Sequence, residues 1–296
     1  MRYLGLILFC CFVILACTNE YSDVKEIDFN KNDTAAQAKL KLTEKGLNVA
    51  ISAMISPKET FNLYQELITY ISKEINIPIN FKQRKTYAEV NELLKKGDID
   101  FAFICTGAYR EAKKNFPVEL LVVPVINNEP FYQAYVIVHN ESEINSIDDL
   151  EGKTFAFTDP LSNSGYNYIV NYLSSQKLTD QKYYFSKTIF TNAHDKSMQA
   201  VSKKIVDGAT VDGLIFDYFA RNNPEQIKHL KVVHKSQKFG IPPFVIQPNM
   251  NPELKNKIRQ TFLNMDKTVE GKAILSKLMI NRFDIPNPVN YNEKTK

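Results

Sequence analysis

From Leu47 onward, short apolar runs alternate with segments whose apolar residues fall on one helical face. That alternation constrains the fold most, because strand and helix in turn build sheets covered by helices. Leu47–Ile51 reads as a strand, and Ser56-Pro57 then supplies an N-cap with proline at the first helical position. Phe61, Tyr64, Leu67, Ile68 and Ile71 share one face of the helix that follows. Residues 79–81 predict a second strand, residues 87–96 a second helix closed by Gly97, and residues 100–105 a third strand. Gly107-Ala-Tyr109 opens another helix. This order predicts an open sheet of parallel strands with helices on both faces.

Residues 120–126 and 132–138 are β-branched runs separated by Asn127-Asn-Glu-Pro130, and the second reads as a crossing into another lobe. There the pattern predicts strands at 155–157, 188–190 and 213–216, with helices at 164–173 and 197–205. Residues 230–233 lead back, 241–246 form the returning strand, and helices from Pro252 pack on the first lobe. The expected architecture is α/β with two lobes joined by two crossings. Lobe 1 takes 47–130 and 239–296, and lobe 2 takes 131–238. Open α/β sheets bind ligands beyond the carboxyl ends of their strands. Three such ends carry helix-starting loops: Ser52 to Pro57, Thr106 to Tyr109, and Asp159 to Tyr166.

The last of these loops carries the most chemistry. Gly152-Lys-Thr-Phe-Ala-Phe-Thr-Asp159-Pro160 reads as strand and turn, and Ser162-Asn163-Ser164-Gly165-Tyr166 opens a helix. Two readings fit it. Ser and Asn are favoured capping residues. The same side chains, added to the free N–H groups and positive dipole end of a helix, also make an anion cradle. On the second reading Ser162, Asn163 and Ser164 donate, and Gly165 lets a ligand approach the backbone. Tyr109, Tyr166 and Tyr87 are candidate walls, each with an apolar body and a polar tip.

Met1-Arg2 and the apolar run to Ala16 have the form of a secretory signal, too short for a comfortable membrane span. Ile14-Leu-Ala-Cys17 resembles the bacterial lipobox, which implies removal of residues 1–16 and lipidation of Cys17 by palmitate or a similar acyl chain; a plain signal or an uncleaved anchor is the alternative. Residues 18–46 are polar and read as a tether. Cys10 and Cys11 leave with the signal, so Cys105, in an apolar run, is an expected buried thiol without a disulfide partner. With 37 basic against 33 acidic residues the chain has no electrostatic footprint for nucleic acid. Its four histidines show no metal-ligand spacing.

Several motifs together carry a family resemblance. They are Leu94-Lys-Lys-Gly97-Asp-Ile-Asp100, Thr106-Gly-Ala-Tyr109, the run from Leu150 to Pro160, and Ser162-Asn-Ser-Gly165-Tyr166. His194, Val211-Asp-Gly213 to Asp217, and Ile241-Pro-Pro243 continue the series. In this order they resemble the phosphate/phosphite/phosphonate substrate-binding proteins of ABC transporters, which have the type II periplasmic-binding fold. The resemblance implies that the serine-rich turn holds the oxyanion and that His194 contacts it; without it, a lone histidine reads as surface or structural. Asn163 stands where the family commonly has a hydroxyl residue. Asp217 matches a family position near the ligand, where a carboxylate requires a protonated oxyanion or an amine; helix capping is its other reading.

The expected function is a membrane-anchored lipoprotein on the periplasmic or cell-surface side. It would capture a phosphonate-, phosphite- or phosphate-like anion for an ABC permease with its ATPase. The alternative is a sensory module of the same fold that signals to a membrane partner. No enzyme is expected, since the turn's hydroxyls lack an adjacent base, and no cofactor motif is present.

Overall fold

The computed structural model describes residues 46–176 and 184–292. The signal, tether and Cys17 readings therefore lie outside the described residues. Within these, no helix is long and apolar enough to cross a membrane.

The first sheet begins with β1 (Leu47–Ile51), β2 (Ile79–Lys82) and β3 (Phe101–Phe103), connected by α1 (Pro57–Ile75) and α2 (Tyr87–Lys96). Thr86 and Glu89 close a capping box at the start of α2, and Gly97 ends the helix at φ 76°. α3 (Thr106–Asn115) leads to β4 (Glu119–Val125). The chain then leaves through β5 (Phe131–Tyr132).

The second sheet is built from β6 (Ala134–His139), β7 (Thr154–Phe157), β8 (Lys187–Phe190), β9 (Gly208–Asp212) and β10 (Leu230–Lys235). Its helices are α4 (Tyr168–Ser175), α5 (His194–Ser202) and α6 (Gly213–Asn222). The chain returns through β11 (Phe239–Gly240) into β12 (Phe244–Ile246). It ends with α7 (Pro252–Leu263), α8 (Val269–Lys277) and β13 (Arg282–Asp284).

Strand order is β13-β4-β12-β3-β1-β2 in one sheet and β10-β6-β9-β7-β8 in the other. Both sheets are mixed rather than wholly parallel. β1 runs parallel to β2 and β3, and β7 to β8 and β9, each through a helical crossover. The strands flanking the crossings, β4, β12, β6 and β10, run antiparallel to their neighbours. A chain that passes from sheet to sheet without a covering helix enters the next one reversed.

The crossings pair as a two-stranded ribbon, Tyr132 opposite Phe239 and Phe131 opposite Gly240. Ile241 N–H donates to Pro130 O at 3.1 Å beside it. Each sheet has its own core. Phe244, Phe262 and Phe283 pack together in the first, and Phe155, Phe157 and Phe185 in the second.

One expectation fails clearly. Residues 213–216 are the first turn of α6, and the strand is residues 208–212. Leu214, Ile215 and Phe216 have strand-like composition, but Phe216 and Phe219 are buried at helical spacing. Asp212 stops the strand by capping the helix, its carboxylate accepting from Leu214 N–H at 2.8 Å. The helix expected at 197–205 likewise starts earlier, at His194.

Candidate functional site

The carboxyl ends of the parallel strands in both sheets open onto one cleft, and the cleft is closed. Tyr87 N–H, at the start of α2, donates to Asp159 Oδ2 at 3.1 Å. Ser56 N–H donates to Asp195 Oδ1 at 3.0 Å instead of Ser56 capping α1 with its side chain. His194 N–H donates to Met54 O at 2.9 Å. Gly107 sits so tightly against the opposite turn that a Cβ there would fall 2.2 Å from Leu161 O.

Among the buried polar atoms with no protein partner are Ser52 Oγ and Tyr87 OH from the first lobe, and Ser164 Oγ and His194 Nε2 from the second. All four residues are wholly buried, at 0 % exposure. Leaving such groups unpaired costs on the order of 1–3 kcal/mol each, so their joint presence points to a ligand that satisfies them.

The protonation of His194 follows from its neighbours. Its Nδ1 lies 3.1 Å from Asp212 N, a backbone amide that can only donate. Nδ1 is therefore the acceptor, and the neutral ring carries its proton on Nε2, the atom without a partner. Burial pushes the imidazole down to about 3, so it stays neutral. Thr158 Oγ1, 3.0 Å from the same Nδ1, helps hold the ring.

The two serines of the turn divide the readings made of it. Ser162 is the cap: its Oγ accepts from Gly165 N–H at 2.9 Å. Ser164 is the free donor. The backbone from Asn163 to Asn167 forms one wide π turn before α4, with Asn167 N–H reaching back to Ser162 O. Gly165 packs closely on β7's end, since a Cβ there would lie 2.5 Å from Thr158. Asn163 spends its side chain across the cleft. Its Oδ1 accepts from Arg110 at 2.7 Å, and its Nδ2 donates to the Tyr132 hydroxyl at 3.0 Å.

The remaining expected residues make protein contacts of their own. Tyr166 packs edge-on against Phe157 and at a tilt against Phe190. Tyr109 packs edge-on against Tyr291 and lines an outer hollow with Lys113 and Arg259. Thr106 Oγ1 donates to Gly240 O at 2.7 Å, fastening α3 to the ribbon. Asp217, one turn into α6, accepts from Tyr135 OH at 3.3 Å, and Lys235 sits over the Tyr135 ring.

The carboxyl at the strand end is Asp212. It is buried, and burial raises it to about 7. Its charge reaches the phenols of Tyr64, Tyr87 and Tyr132. Asp212 was legible in the sequence as the acidic residue before a glycine and an apolar helical run, once the strand is ended there. Ser52 opened one of the three helix-starting loops expected at the cleft, whereas Tyr132 and Arg110 carried no comparable signal. Among the described residues, no group of His, Cys, Asp or Glu is placed to hold a metal ion.

Residues 49–291 match the family described as ABC transporter, phosphonate, periplasmic substrate-binding protein. The chain belongs to that family. It is thus a periplasmic ligand-binding protein rather than an enzyme. It is 28% identical over 255 residues to the phosphonates-binding periplasmic protein of Escherichia coli, covering 84% of this chain and 75% of that one. The binding component of an ABC phosphonate transporter from Pseudomonas aeruginosa superposes with TM-score 0.76 at 25% identity, over 81% of each chain. PhnD1 of Prochlorococcus marinus, solved in complex with methylphosphonate, shares the fold at 17% identity. Its TM-score is 0.77, over 83% of this chain and 94% of that one.

Proposed function

We propose that the closed cleft captures a small phosphonate or related tetrahedral oxyanion and delivers it to an ABC permease with its ATPase, from a chain anchored by lipid at Cys17. The observation that carries this reading is the set of partnerless buried polar groups that both lobes contribute, at Ser52, Tyr87, Ser164 and His194. Neutral donors in a dry site bind an anion strongly, because nothing screens them and no fixed cation must be desolvated. The two lobes divide as 47–130 with 239–296 and 131–238, so closure is a rotation about the ribbon.

Asp212 sets the protonation state of the ligand. Below about 7 the buried carboxyl keeps its proton and can donate to an oxyanion; above it the carboxylate pairs only with a P–OH group or an ammonium and rejects a fully ionised phosphate. Calorimetry with methylphosphonate, phosphite and inorganic phosphate tests the proposal. Binding of at least one at about micromolar affinity or tighter is expected, weakening as pH rises above about 7. No heat from any of the three would refute it.

A further inference from the structure

Where α1 of the first lobe meets α5 of the second, neither helix is capped by the residue before it. Ser56 precedes α1, yet its hydroxyl makes no cap, and Pro57 at the first helical position has no N–H to offer. Ala193 precedes α5 and has no side chain able to cap it. Each helix start therefore needs an acceptor from elsewhere, and each carries the partial positive charge of its dipole. Two such ends brought together repel unless a negative charge lies between them.

The acceptors come from across the cleft. His194, the first residue of α5, donates its N–H to Met54 O at 2.9 Å. In the other direction, Ser56 N–H donates to Asp195 Oδ1 at 3.0 Å. The loop before α1 and the first turn of α5 thus exchange hydrogen bonds, a reciprocal pairing like that of a capping box but divided between two lobes. Asp195 is 4 % exposed and lies in the first turn of its own helix. Among the described residues, no lysine or arginine forms an ion pair with it. Its charge is compensated by the two helix ends. The same carboxylate therefore serves α5 at all times and α1 only when the lobes meet. α2 differs: Thr86 and Glu89 already cap it within its own lobe, so the contact of Tyr87 N–H with Asp159 adds to a satisfied end.

We infer that Asp195 is a closing residue, which latches the lobes by capping α1 from the opposite side of the cleft. Its contribution to closure does not depend on which ligand is held. On the oxyanion-capture reading given above, it strengthens the binding of every ligand by one common factor, because apparent affinity scales with the population of the closed form. Discrimination between ligands then stays with the pocket, and Asp195 sets how readily the lobes shut on any of them.

Asp195→Asn tests this, since it keeps the shape and an acceptor oxygen but removes the charge. Calorimetry with methylphosphonate, phosphite and inorganic phosphate should show a loss of about tenfold, equal for each probe that the wild type binds. The substitution also weakens the start of α5, so Ala193→Ser is added to give that helix a cap of its own. The double variant should recover melting temperature and none of the affinity, because α1 still lacks its carboxylate.

Affinity restored along with the melting temperature would make Asp195 a cap of α5 alone and overturn the inference. Unchanged affinity in Asp195→Asn would overturn it too. Losses that differ by more than about threefold between probes would mean that Asp195 touches the ligand, with the same consequence. A wild type that binds none of the three probes overturns the oxyanion reading alone. Hydrogen exchange at the Ser56 amide then decides the latch: faster in Asp195→Asn than in the wild type supports it, and an equal rate overturns it.

Discussion

The two rims of the cleft have the same construction, strand ends followed by helix starts, but they carry different chemistry. The first lobe presents Ser52 and Tyr87, hydroxyls that stay neutral; burial pushes the Tyr87 phenol well above its ordinary value. The second presents Ser164 on a helix-starting turn together with His194 and Asp212, two titratable groups shifted in opposite directions. On the proposed reading the first rim supplies a wall that closes, and the second the charge preference and the pH response.

Breaking the second rim should therefore have the largest effect. Ser164→Ala with His194→Ala removes two donors to an anion, each worth about 1.5–3 kcal/mol in a buried site. Methylphosphonate affinity should fall by about a thousandfold in calorimetry. A loss below about tenfold would move the oxyanion away from this rim.

The pH response sharpens the contrast next. Asp212, held up to about 7 from 3.8, keeps a proton that the unfolded chain releases. Its contribution to stability therefore falls as pH rises from about 4 to 7. His194, held down to about 3 from 6.5, refuses a proton that the unfolded chain takes up. Its contribution is lost as pH falls from about 6.5 to 3. The two slopes oppose each other through their shared window, so the wild type should vary little there. Asp212→Asn should expose a stability that rises with pH, and His194→Gln one that falls, each by a few kcal/mol. Urea unfolding at pH 4, 5.5 and 7 checks both signs.

The first rim predicts a smaller and different result. Tyr87→Phe removes one donor and, in the empty protein, one unsatisfied buried hydroxyl. Affinity should drop about tenfold while the melting temperature of the ligand-free protein holds or rises. A lower melting temperature would mean that the hydroxyl has a structural partner.

What was readable in the sequence, and what was not, follows the same division. The strand-to-helix order and the loop after β7 come from local period and local capping chemistry, and both lie in consecutive residues. The placing of Asp212 depended on where β9 stops, and an apolar run beginning at Leu214 hid that boundary because a buried helix and a strand share composition. Asp217, one turn on, faced Tyr135 instead. Tyr132 and Arg110 meet Asn163 from 31 and 53 residues away. No periodicity encodes such contacts.

The smallest predicted effect separates two serines within one turn. Ser162 and Ser164 are both wholly buried and chemically identical, and they sit two positions apart. Ser162 Oγ accepts from Gly165 N–H and so starts the turn, while Ser164 Oγ has no partner. Ser162→Ala should therefore cost about 1 kcal/mol of stability, the usual value of a cap, and leave methylphosphonate affinity within about threefold. Ser164→Ala should do the reverse, losing affinity with little change in melting temperature, because no protein hydrogen bond is removed. Calorimetry and thermal melts on the two single variants resolve this crossed pattern. Affinity losses of equal size would mean that the turn binds as one body of donors, with the cap itself facing the ligand.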